Sequence, residues 1–239
     1  MKRRGRETMP LHPEGAILQR DGTTYAVITR TPAGIVTPDH LERVAAVARK
    51  FAIPTLKITG GQRIALVGIP PGDLDGVFRD LGDTVDRTGG PCLHYVQACP
   101  GTETCRYGNQ DSMGLALSVE KEFVGKAYPA KLKIGISGCP RCCGESHTRD
   151  IGIMGTVRGW TVIFGGNSGT RPRIGDVIAR ELSRDQALDM MQRLLEYYGG
   201  HARSKERTAR FMERIGMETL KSDLLRFIPY IPLEKVKPE

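Results

Sequence analysis

The sequence of 239 residues has no long apolar run, few aromatic side chains and no cysteine outside one short stretch. No run reaches the roughly 18 apolar residues of a membrane span, so we expect no membrane segment. The basic start, Met1–Arg6, has no apolar segment behind it and is not typical of a secretory signal. Aromatic residues make up only 6%, and neither a helix-turn-helix signature nor a base-stacking motif is present, so nucleic-acid binding is not expected.

The composition is otherwise that of a soluble globular protein, with 39% hydrophobic and 26% charged residues. The length suits one large domain or two small ones. Lys and Arg number 35 against 27 Asp and Glu, a net charge of +8. Such a surplus is compatible with an anionic cofactor, an anionic substrate or an acidic partner protein.

All cysteines lie within residues 92–143. This crowding suits metal binding in a reducing compartment better than a disulfide framework, so we expect a cytoplasmic protein.

Four of the cysteines form two close pairs, Cys99 with Cys105 and Cys139 with Cys143. Two pairs from distant loops are what a cubane iron–sulfur cluster requires, because each iron takes one thiolate and the cube is approached from several sides. The pairs enclose five and three residues, which fits poorly with the matched knuckles of a structural zinc site. Buried thiols are the simpler alternative, but they do not explain the Cys-Pro starts or the neighbouring glycines.

The first third of the chain predicts alternating strands and helices. A strand over 23–30 precedes a helix that opens at Thr37-Pro38, where threonine can cap and proline can begin a helix. Two further strands, Thr55–Thr59 and Arg63–Ile69, are followed by an amphipathic helix over 71–82. This order resembles a ferredoxin-like half of an α+β fold. The residues predicted to face inward are Leu41, Val44, Ala45 and Ala48 in the first helix and Leu74, Val77, Phe78 and Leu81 in the second.

After the cysteine region, the patterns predict a helix, a strand, a hairpin and two more helices. Ser183, with Gln186 three residues later, forms a capping box. The predicted ranges are 111–124 for the helix, 131–137 for the strand, 151–157 and 160–164 for the hairpin, and 183–199 and 204–215 for the last helices.

The strand over 131–137 alternates cleanly. Its period places Lys131 and Lys133 on one face and leucine and isoleucine on the other. Because the strand runs directly into Gly138-Cys139, a cationic face would end at the proposed metal site. A solvated edge strand with protective lysines is the alternative; beside a metal site we favour a pocket for an anion.

Five segments together resemble the siroheme- and 4Fe-4S-containing sulfite and nitrite reductases, most of all their small, single-subunit, assimilatory-type members. The resemblance covers about residues 15–225. The segments are Thr59-Gly60-Gly61-Gln62-Arg63, His94-Tyr95-Val96-Gln97-Ala98-Cys99-Pro100-Gly101, Cys105-Arg106-Tyr107-Gly108, Lys131-Leu132-Lys133, and Ser137-Gly138-Cys139-Pro140 through Cys143-Gly144.

The resemblance implies an α+β fold. A ferredoxin-like half domain, residues 10–82, would be followed by a siroheme- and 4Fe-4S-binding α/β domain with C-terminal helices, residues 83–239. The larger family members contain two related halves, and this chain has one clear set.

The resemblance also implies the ligands of the cofactors. Cys99, Cys105, Cys139 and Cys143 match the four cluster ligands, and Cys143 matches the thiolate that also binds siroheme iron. Cys142 would form a Cys-x-x-Cys pair with Cys139, but the family pattern ends at Cys143. Residues matching siroheme contacts are Gln62, Arg63, Arg106 and Asn109.

For the substrate, Lys131 and Lys133 match the paired lysines that bind the anion. His94 stands where the family commonly has an arginine, and Gly61 where larger members place another. Arg63 is the nearby candidate for part of that role. The residues predicted to act in catalysis are therefore Lys131, Lys133, Arg63 and His94.

The function implied is reduction of sulfite to sulfide with electrons from a low-potential donor, for which an acidic ferredoxin suits the basic chain. Nitrite reduction at the same centre is a close alternative, because both substrates are small anions. An iron–sulfur electron-transfer protein without siroheme and a zinc-stabilised binding module are alternatives of different classes.

Overall fold

The computed structural model describes residues 14–225. The basic start Met1–Arg6 and the outer ends of the two predicted domains lie outside these residues. The chain divides into two compact units. Among the described residues, one unit holds 14–31 together with Val36–Arg87, and the other holds Pro32–Ile35 and 88–225.

The first unit is an antiparallel sheet with two helices. Its strands lie in the order β1-β2-β4-β3, and both β1 and β4 pair with β2. The strands are β1 (Ala16–Leu18), β2 (Tyr25–Ile28), β3 (Thr55–Ile58) and β4 (Ile64–Ile69), and the helices are α1 (Pro38–Lys50) and α2 (Leu74–Leu81).

Helix α1 begins where the sequence predicts. The Thr37 hydroxyl accepts the N–H of His40 at 3.2 Å, which satisfies one of the unpaired donors of the first turn. The predicted inward position of Leu41 is wrong, since its side chain is 46% exposed. The inward positions of Val44 and Ala48 are confirmed, Val47 is buried with them, and Ala45 is half-buried. The buried face of the helix therefore begins at Val44, one turn after Leu41. The inward face predicted for α2 is confirmed.

The second unit is built on a five-stranded mixed sheet in chain order. β5, β6 and β7 are parallel, and β8 and β9 complete the sheet in antiparallel pairs. The strands are β5 (Leu93–Ala98), β6 (Leu132–Ser137), β7 (Ile151–Thr156), β8 (Gly159–Phe164) and β9 (Asp176–Leu182).

Four helices accompany this sheet: α3 (Ser112–Phe123), α4 (Arg184–His201), α5 (Thr208–Ile215) and α6 (Met217–Leu225). Helix α4 begins with the predicted capping box, in which Ser183 and Gln186 exchange both bonds. Leu132, Ile134 and Ile136 of β6 are fully buried in the core of this unit. The α+β class is thus confirmed, and none of the helices in 14–225 is long and apolar enough to cross a membrane.

Candidate cofactor site

The two cysteine loops start side by side at one edge of the sheet. Cys99 directly follows β5, and Gly138-Cys139 directly follow β6. These strands are parallel neighbours, with Ala98 opposite Ile136, and the N–H of Cys99 donates to the carbonyl of Ile136 at 3.2 Å. The carboxyl ends of parallel strands are where α/β folds most often bind ligands.

Consecutive turns shape the first loop. The N–H of Cys105 donates to the carbonyl of Gly101 at 3.0 Å, and the N–H of Gly108 donates to the carbonyl of Cys105 at 2.9 Å. Gly101 has a φ of +57°, and a Cβ at this residue would lie 2.3 Å from the Ser112 hydroxyl. Only glycine fits this position.

Backbone contacts join the first loop to the second. The carbonyl of Gly138 accepts the N–H groups of Asn109 and Gln110, at 2.8 and 3.0 Å. A Cβ on Gly138 would lie 2.6 Å from the Cα of Gly101, so the loops touch where both lack a side chain. The structure therefore brings together the two segments that carry the cysteine pairs.

The Cys99 sulfur receives a backbone hydrogen bond. Its Sγ accepts the N–H of Gly138 at 3.1 Å. The Ser112 hydroxyl lies 3.5 Å from the same sulfur and donates to the carbonyl of Cys99 at 2.7 Å. Hydrogen bonds to sulfur stabilise the negative charge of a thiolate and tune the potential of a cluster.

The second loop separates its three cysteines by exposure. Cys139 is buried, Cys142 is partly buried and Cys143 is exposed. After Cys143, Gly144 is fixed to the end of β6, because its N–H donates to the Ser137 hydroxyl at 3.0 Å. A Cβ on Gly144 would lie 2.2 Å from the carbonyl oxygen of Ile136.

This set of donors fits an iron–sulfur cluster. In the described part of the chain, no three His, Cys, Asp or Glu side chains converge on the position of one ion. A cubane does not need such convergence, because each thiolate binds a different iron. Paired soft thiolates, an N–H directed at sulfur and glycines that allow close backbone approach are the features that it does need. Cys92 is buried, and its Sγ donates to the carbonyl of Gly89 at 3.3 Å.

The lysines lie at the amino end of β6. Lys131 and Lys133 are half-buried. The Nζ of Lys133 lies 5.9 Å from the centre of the Tyr95 ring, and its backbone N–H donates to buried Asp150 at 2.9 Å. The predicted alternation of the strand is confirmed.

The cationic face does not extend along the whole strand. Further along the same face, a Cβ on Gly135 would lie 2.3 Å from the carbonyl oxygen of Gly144. The Ser137 hydroxyl lies 2.8 Å from that of Ser146. The segment after Cys143 therefore covers the half of the face that adjoins the cysteine loops.

A buried arginine holds this covering segment, and the sequence analysis missed it. Arg149 is 6% exposed. Its Nη2 lies 2.6 Å from Glu145 and donates to Gln97 on β5 at 2.5 Å. Its Nε is buried without a hydrogen-bond partner in residues 14–225. Because Glu145 follows Cys143 by two residues, this network fixes the chain just behind the proposed shared ligand.

Two predicted site residues, Gln62 and Arg63, belong to the first unit. Gln62 has a φ of +59°, and its carbonyl accepts the Thr31 hydroxyl at 2.6 Å. Arg63 forms an ion pair with Asp86, and both side chains are nearly buried.

The remaining predicted site residues belong to the second unit. His94 is buried, and its Nε2 lies 2.9 Å from the carbonyl oxygen of Gly90, so this nitrogen is the donor. Asn109 contributes its backbone to the junction of the loops. Arg106 is exposed, and its guanidinium lies over the ring of Tyr107.

Comparisons with known proteins agree with this geometry. Residues 89–227 match the family model described as nitrite and sulphite reductase 4Fe-4S domain, and residues 17–83 match the nitrite/sulfite reductase ferredoxin-like half domain. A Nitratidesulfovibrio vulgaris protein named assimilatory-type sulfite reductase is 50% identical over 89% of this chain and 98% of its own length. A Bacillus subtilis NAD(P)H nitrite reductase is 39% identical over 87% of this chain, which spans 26% of that protein.

Two solved structures share the fold. Dissimilatory sulfite reductase I superposes with a TM-score of 0.75 at 15% identity, over 90% of this chain and 71% of the other. The NirA protein of Mycobacterium tuberculosis superposes with a TM-score of 0.75 at 17% identity. The match covers 87% of this chain and 41% of NirA. The sequence matches confirm the resemblance drawn from the cysteine segments, and the chain belongs to the nitrite and sulphite reductase family, with its ferredoxin-like half domain and its 4Fe-4S domain.

Proposed function

We propose that this protein reduces sulfite to sulfide at a centre built from a 4Fe-4S cluster and siroheme. The observation that carries the proposal is the pair of cysteine loops joined at the carboxyl edge of β5 and β6. The choice of sulfite is supported by the N. vulgaris relative, which is named a sulfite reductase and matches over nearly its whole length.

The cluster would be held by Cys99, Cys105, Cys139 and Cys143. The exposure of Cys143 suits a thiolate that is shared with a second metal group. Residues assigned to siroheme are Gln62, Arg63, Arg106 and Asn109. We assign the ferredoxin-like half domain to residues 10–82 and the cofactor-binding domain to residues 83–239.

When bound, the two groups supply single electrons and a coordination position for the sulfur of sulfite. In the overall reaction, sulfite takes up six electrons and seven protons and yields HS⁻ and three water molecules. Lys131 and Lys133 neutralise the dianion as it enters and direct N–H donors at its oxygens, where negative charge develops as each bond breaks.

His94 and Arg63 have more restricted roles. The Nε2 of His94 lies 2.9 Å from the carbonyl oxygen of Gly90, and this contact fixes the orientation of the ring. Arg63 has five N–H donors, and its ion pair with Asp86 orients them. We assign His94 to proton handling and Arg63 to holding a carboxylate or the substrate.

Nitrite reduction at the same centre is the second candidate. The relatives from B. subtilis and Escherichia coli, 39% and 37% identical, are named nitrite reductases. This chain spans only 26% and 25% of those proteins. Sulfite is therefore preferred, because the full-length match is to the sulfite enzyme. The third candidate function is electron transfer by an iron–sulfur protein without siroheme.

For the electron donor we infer a low-potential protein with an acidic surface, such as a ferredoxin. The net charge of +8 supports this inference, since opposite charge accelerates association. A cytoplasmic location is supported by the crowding of the cysteines into residues 92–143, a pattern typical of metal sites in reducing compartments.

The decisive experiment is an absorption spectrum of the anaerobically purified protein, recorded again after dithionite and then after sulfite. We expect tetrapyrrole bands that shift on addition of sulfite, followed by release of sulfide with dithionite as reductant. A broad iron–sulfur shoulder without tetrapyrrole bands, in a host that makes siroheme, would favour the electron-transfer reading. A matched titration with nitrite compares the two substrates.

A further inference from the structure

Three polar side chains form a closed set of contacts beside the cysteine loops. The Nη2 of Arg149 donates to the side-chain oxygen of Gln97 at 2.5 Å and lies 2.6 Å from one carboxylate oxygen of Glu145. The amide nitrogen of Gln97 donates to the other carboxylate oxygen of Glu145 at 3.3 Å. We call this arrangement the Gln–Glu–Arg triangle (Gln97, Glu145 and Arg149).

The triangle lies close in sequence to two of the proposed cluster ligands. Gln97 is on β5, two residues before Cys99, and Glu145 follows Cys143 by two residues. The triangle therefore links the strand that enters the first cysteine loop to the segment that leaves the second.

Stability of the fold does not account for a charged side chain at Arg149. It is 6% exposed, and burial of an ion pair often stabilises a protein no more than apolar residues of similar volume would. Its Nε is buried without a hydrogen-bond partner in the described residues, which adds to the cost. Its stem also needs a glycine in the strand beneath, because a Cβ on Gly135 would lie 2.7 Å from the Cγ of Arg149. The arginine is better explained by what it holds.

The residue that it holds has a strained backbone. Glu145 has a φ of +57°, and Cys142 has a φ of +58°. Residues other than glycine stay in this left-handed region only where their surroundings hold them there. Cys143 thus lies between two strained residues, and the side chain of one of them is fixed by Arg149.

We propose that Arg149 is a positioning residue that directs the Cys143 thiolate, through Glu145, so that the cluster and siroheme are electronically coupled. The inference rests on the proposed function, in which Cys143 is the ligand shared by the two groups. Arg149 touches neither substrate nor cofactor in this role, and it gains or loses neither an electron nor a proton.

A shared ligand depends on its orientation more than an ordinary one does. A thiolate that binds two metal groups must face both at once, so a small rotation of the side chain weakens one of the two bonds. Partners outside the ligand sphere commonly fix such orientations, and their loss typically costs 10- to 100-fold in metal affinity or activity. The guanidinium suits this task, because it is planar and stays charged at every working pH.

The test uses the chain loaded with both cofactors. Arg149→Met removes the charge and every donor, whereas Arg149→Lys keeps the charge and N–H donors. Arg173→Met is the matched control, because Arg173 is another mostly buried arginine of the same unit that pairs with a carboxylate. For each variant we would measure iron and siroheme content, thermal unfolding, electron paramagnetic resonance of the reduced protein, and kcat and KM for sulfite with dithionite.

We expect Arg149→Met to keep its iron and siroheme but to show the resonance of a cluster that no longer interacts with siroheme. Its kcat should fall about tenfold, while its KM for sulfite stays within about twofold, because the anion does not contact Arg149. Arg149→Lys should regain most of the coupling and of kcat. Arg173→Met should be coupled as in wild type, even if its unfolding temperature is lower.

Glu145→Ala gives the same test if Arg149→Met does not fold. The side chain of Glu145 is 48% exposed, so its removal leaves the core intact, and Arg149 can keep its bond to Gln97. We expect the same loss of coupling, because the strained residue after Cys143 is then released.

A fully coupled centre in Arg149→Met or, where that variant does not fold, in Glu145→Ala would overturn the proposal. Equal loss of coupling in Arg149→Met and Arg173→Met would do so too, because Arg149 would then only stabilise the fold. A raised KM with unchanged kcat would place Arg149 at the substrate instead. A wild type that reduces sulfite without interaction between cluster and siroheme would overturn the positioning role and leave the proposed function standing. A coupled wild type that reduces no sulfite would contradict the proposed function alone, and the resonance of the variants would still decide the role of Arg149.

Discussion

Cys142 and Cys143 are adjacent, yet their backbones have different surroundings. Cys142 has a φ of +58°, its N–H donates to the carbonyl of Cys139 at 3.2 Å, and its carbonyl accepts the N–H of Glu145 at 2.8 Å. Cys142 therefore forms the turn itself, while Cys143 presents an exposed thiol. This difference supports Cys143 as the fourth ligand on grounds independent of the family pattern.

Replacing Cys143 by serine should lower the iron and acid-labile sulfide content and remove most sulfite reduction, because a hydroxyl is a poor substitute for a thiolate ligand. Cys142→Ser, the matched control, should keep both. Chemical iron and sulfide analysis, with electron paramagnetic resonance of the reduced protein, measures the difference. If Cys142→Ser and Cys143→Ser lose equal amounts of iron, the assignment of Cys143 rather than Cys142 as the fourth ligand is wrong.

Lys131→Met tests the substrate site. We expect kcat/KM for sulfite to fall about 10- to 100-fold, because one cation that stabilises developing oxygen charge is lost. The absorption spectrum should stay close to that of wild type. Lys121→Met, on the exposed surface of α3, is the control and should be neutral. If Lys131→Met reduces sulfite as fast as wild type does, the assignment of Lys131 to the substrate site is wrong.

At the scale of elements, the junction of the two cysteine loops depends on glycine. Gly138→Ala would place a Cβ 2.6 Å from the Cα of Gly101 and 2.9 Å from the carbonyl oxygen of Gln110. We expect a loss of about 1–3 kcal/mol in unfolding free energy and a reduced cluster content. Gly89→Ala is the control, since its Cβ meets nothing within 4 Å. Thermal unfolding and iron analysis check both; a fully loaded, stable Gly138→Ala would contradict the tight junction.

Elements with a clear period were predictable from the sequence, and those without one were not. The hairpin of β7 and β8, strand β6 and the capped helix α4 follow directly from alternation and the Ser183 box. Strand β5 was missed because all six of its residues are buried, which removes the alternation of polar and apolar residues. Strand β9 was also missed, and its register with β8 is irregular.

The candidate site shows the same contrast between local patterns, which the sequence reveals, and contacts between distant residues, which it does not. Cysteine spacing predicts the metal ligands, because spacing is a property of neighbouring residues. The Arg149 network was missed, since it joins Gln97 to Glu145 across 48 positions of sequence. Contacts of that kind arise only when β5 and β6 have paired.

The entry to helix α5 contains an acid whose charge supports the fold. Glu206 accepts the Arg203 N–H at 2.8 Å and two N–H groups of Arg214 at 2.8 Å. The pKa of Glu206 is lowered from 4.5 to about 2, chiefly by the hydrogen bonds from the Arg214 side chain. A lowered pKa in the folded state means that unfolding takes up a proton, so this contribution is complete above about pH 4.5 and is lost toward pH 2.

Glu206→Gln should therefore be less stable than wild type at pH 6, and the difference should shrink as the pH falls from about 4.5 to about 2. Denaturant unfolding at a series of pH values measures it. Glu218→Gln, which changes an acid in the first turn of α6, serves as a comparison. A difference that grows toward low pH would have the wrong sign for a lowered pKa.

At the scale of the whole molecule, the chain matches one relative over nearly that relative's whole length. It spans 98% of the N. vulgaris sulfite reductase but only about a quarter of the nitrite reductases. The two matched family regions, residues 17–83 and 89–227, account for nearly all of the overlap. The proposed sulfite chemistry therefore rests on these two matched regions of the chain.

The proposed pair of cofactors predicts the number of iron atoms per chain. A chain that holds a cubane and siroheme should contain about five iron atoms, whereas the electron-transfer alternative should contain about four. Iron analysis and solvent extraction of the tetrapyrrole from one sample, produced in a host that makes siroheme, give both quantities per chain. Extractable siroheme close to one per chain, with sulfide formed by the purified chain and dithionite alone, is the expected result. About four irons without extractable tetrapyrrole would mean that the cysteine loops carry electrons to a partner and that sulfite is reduced elsewhere.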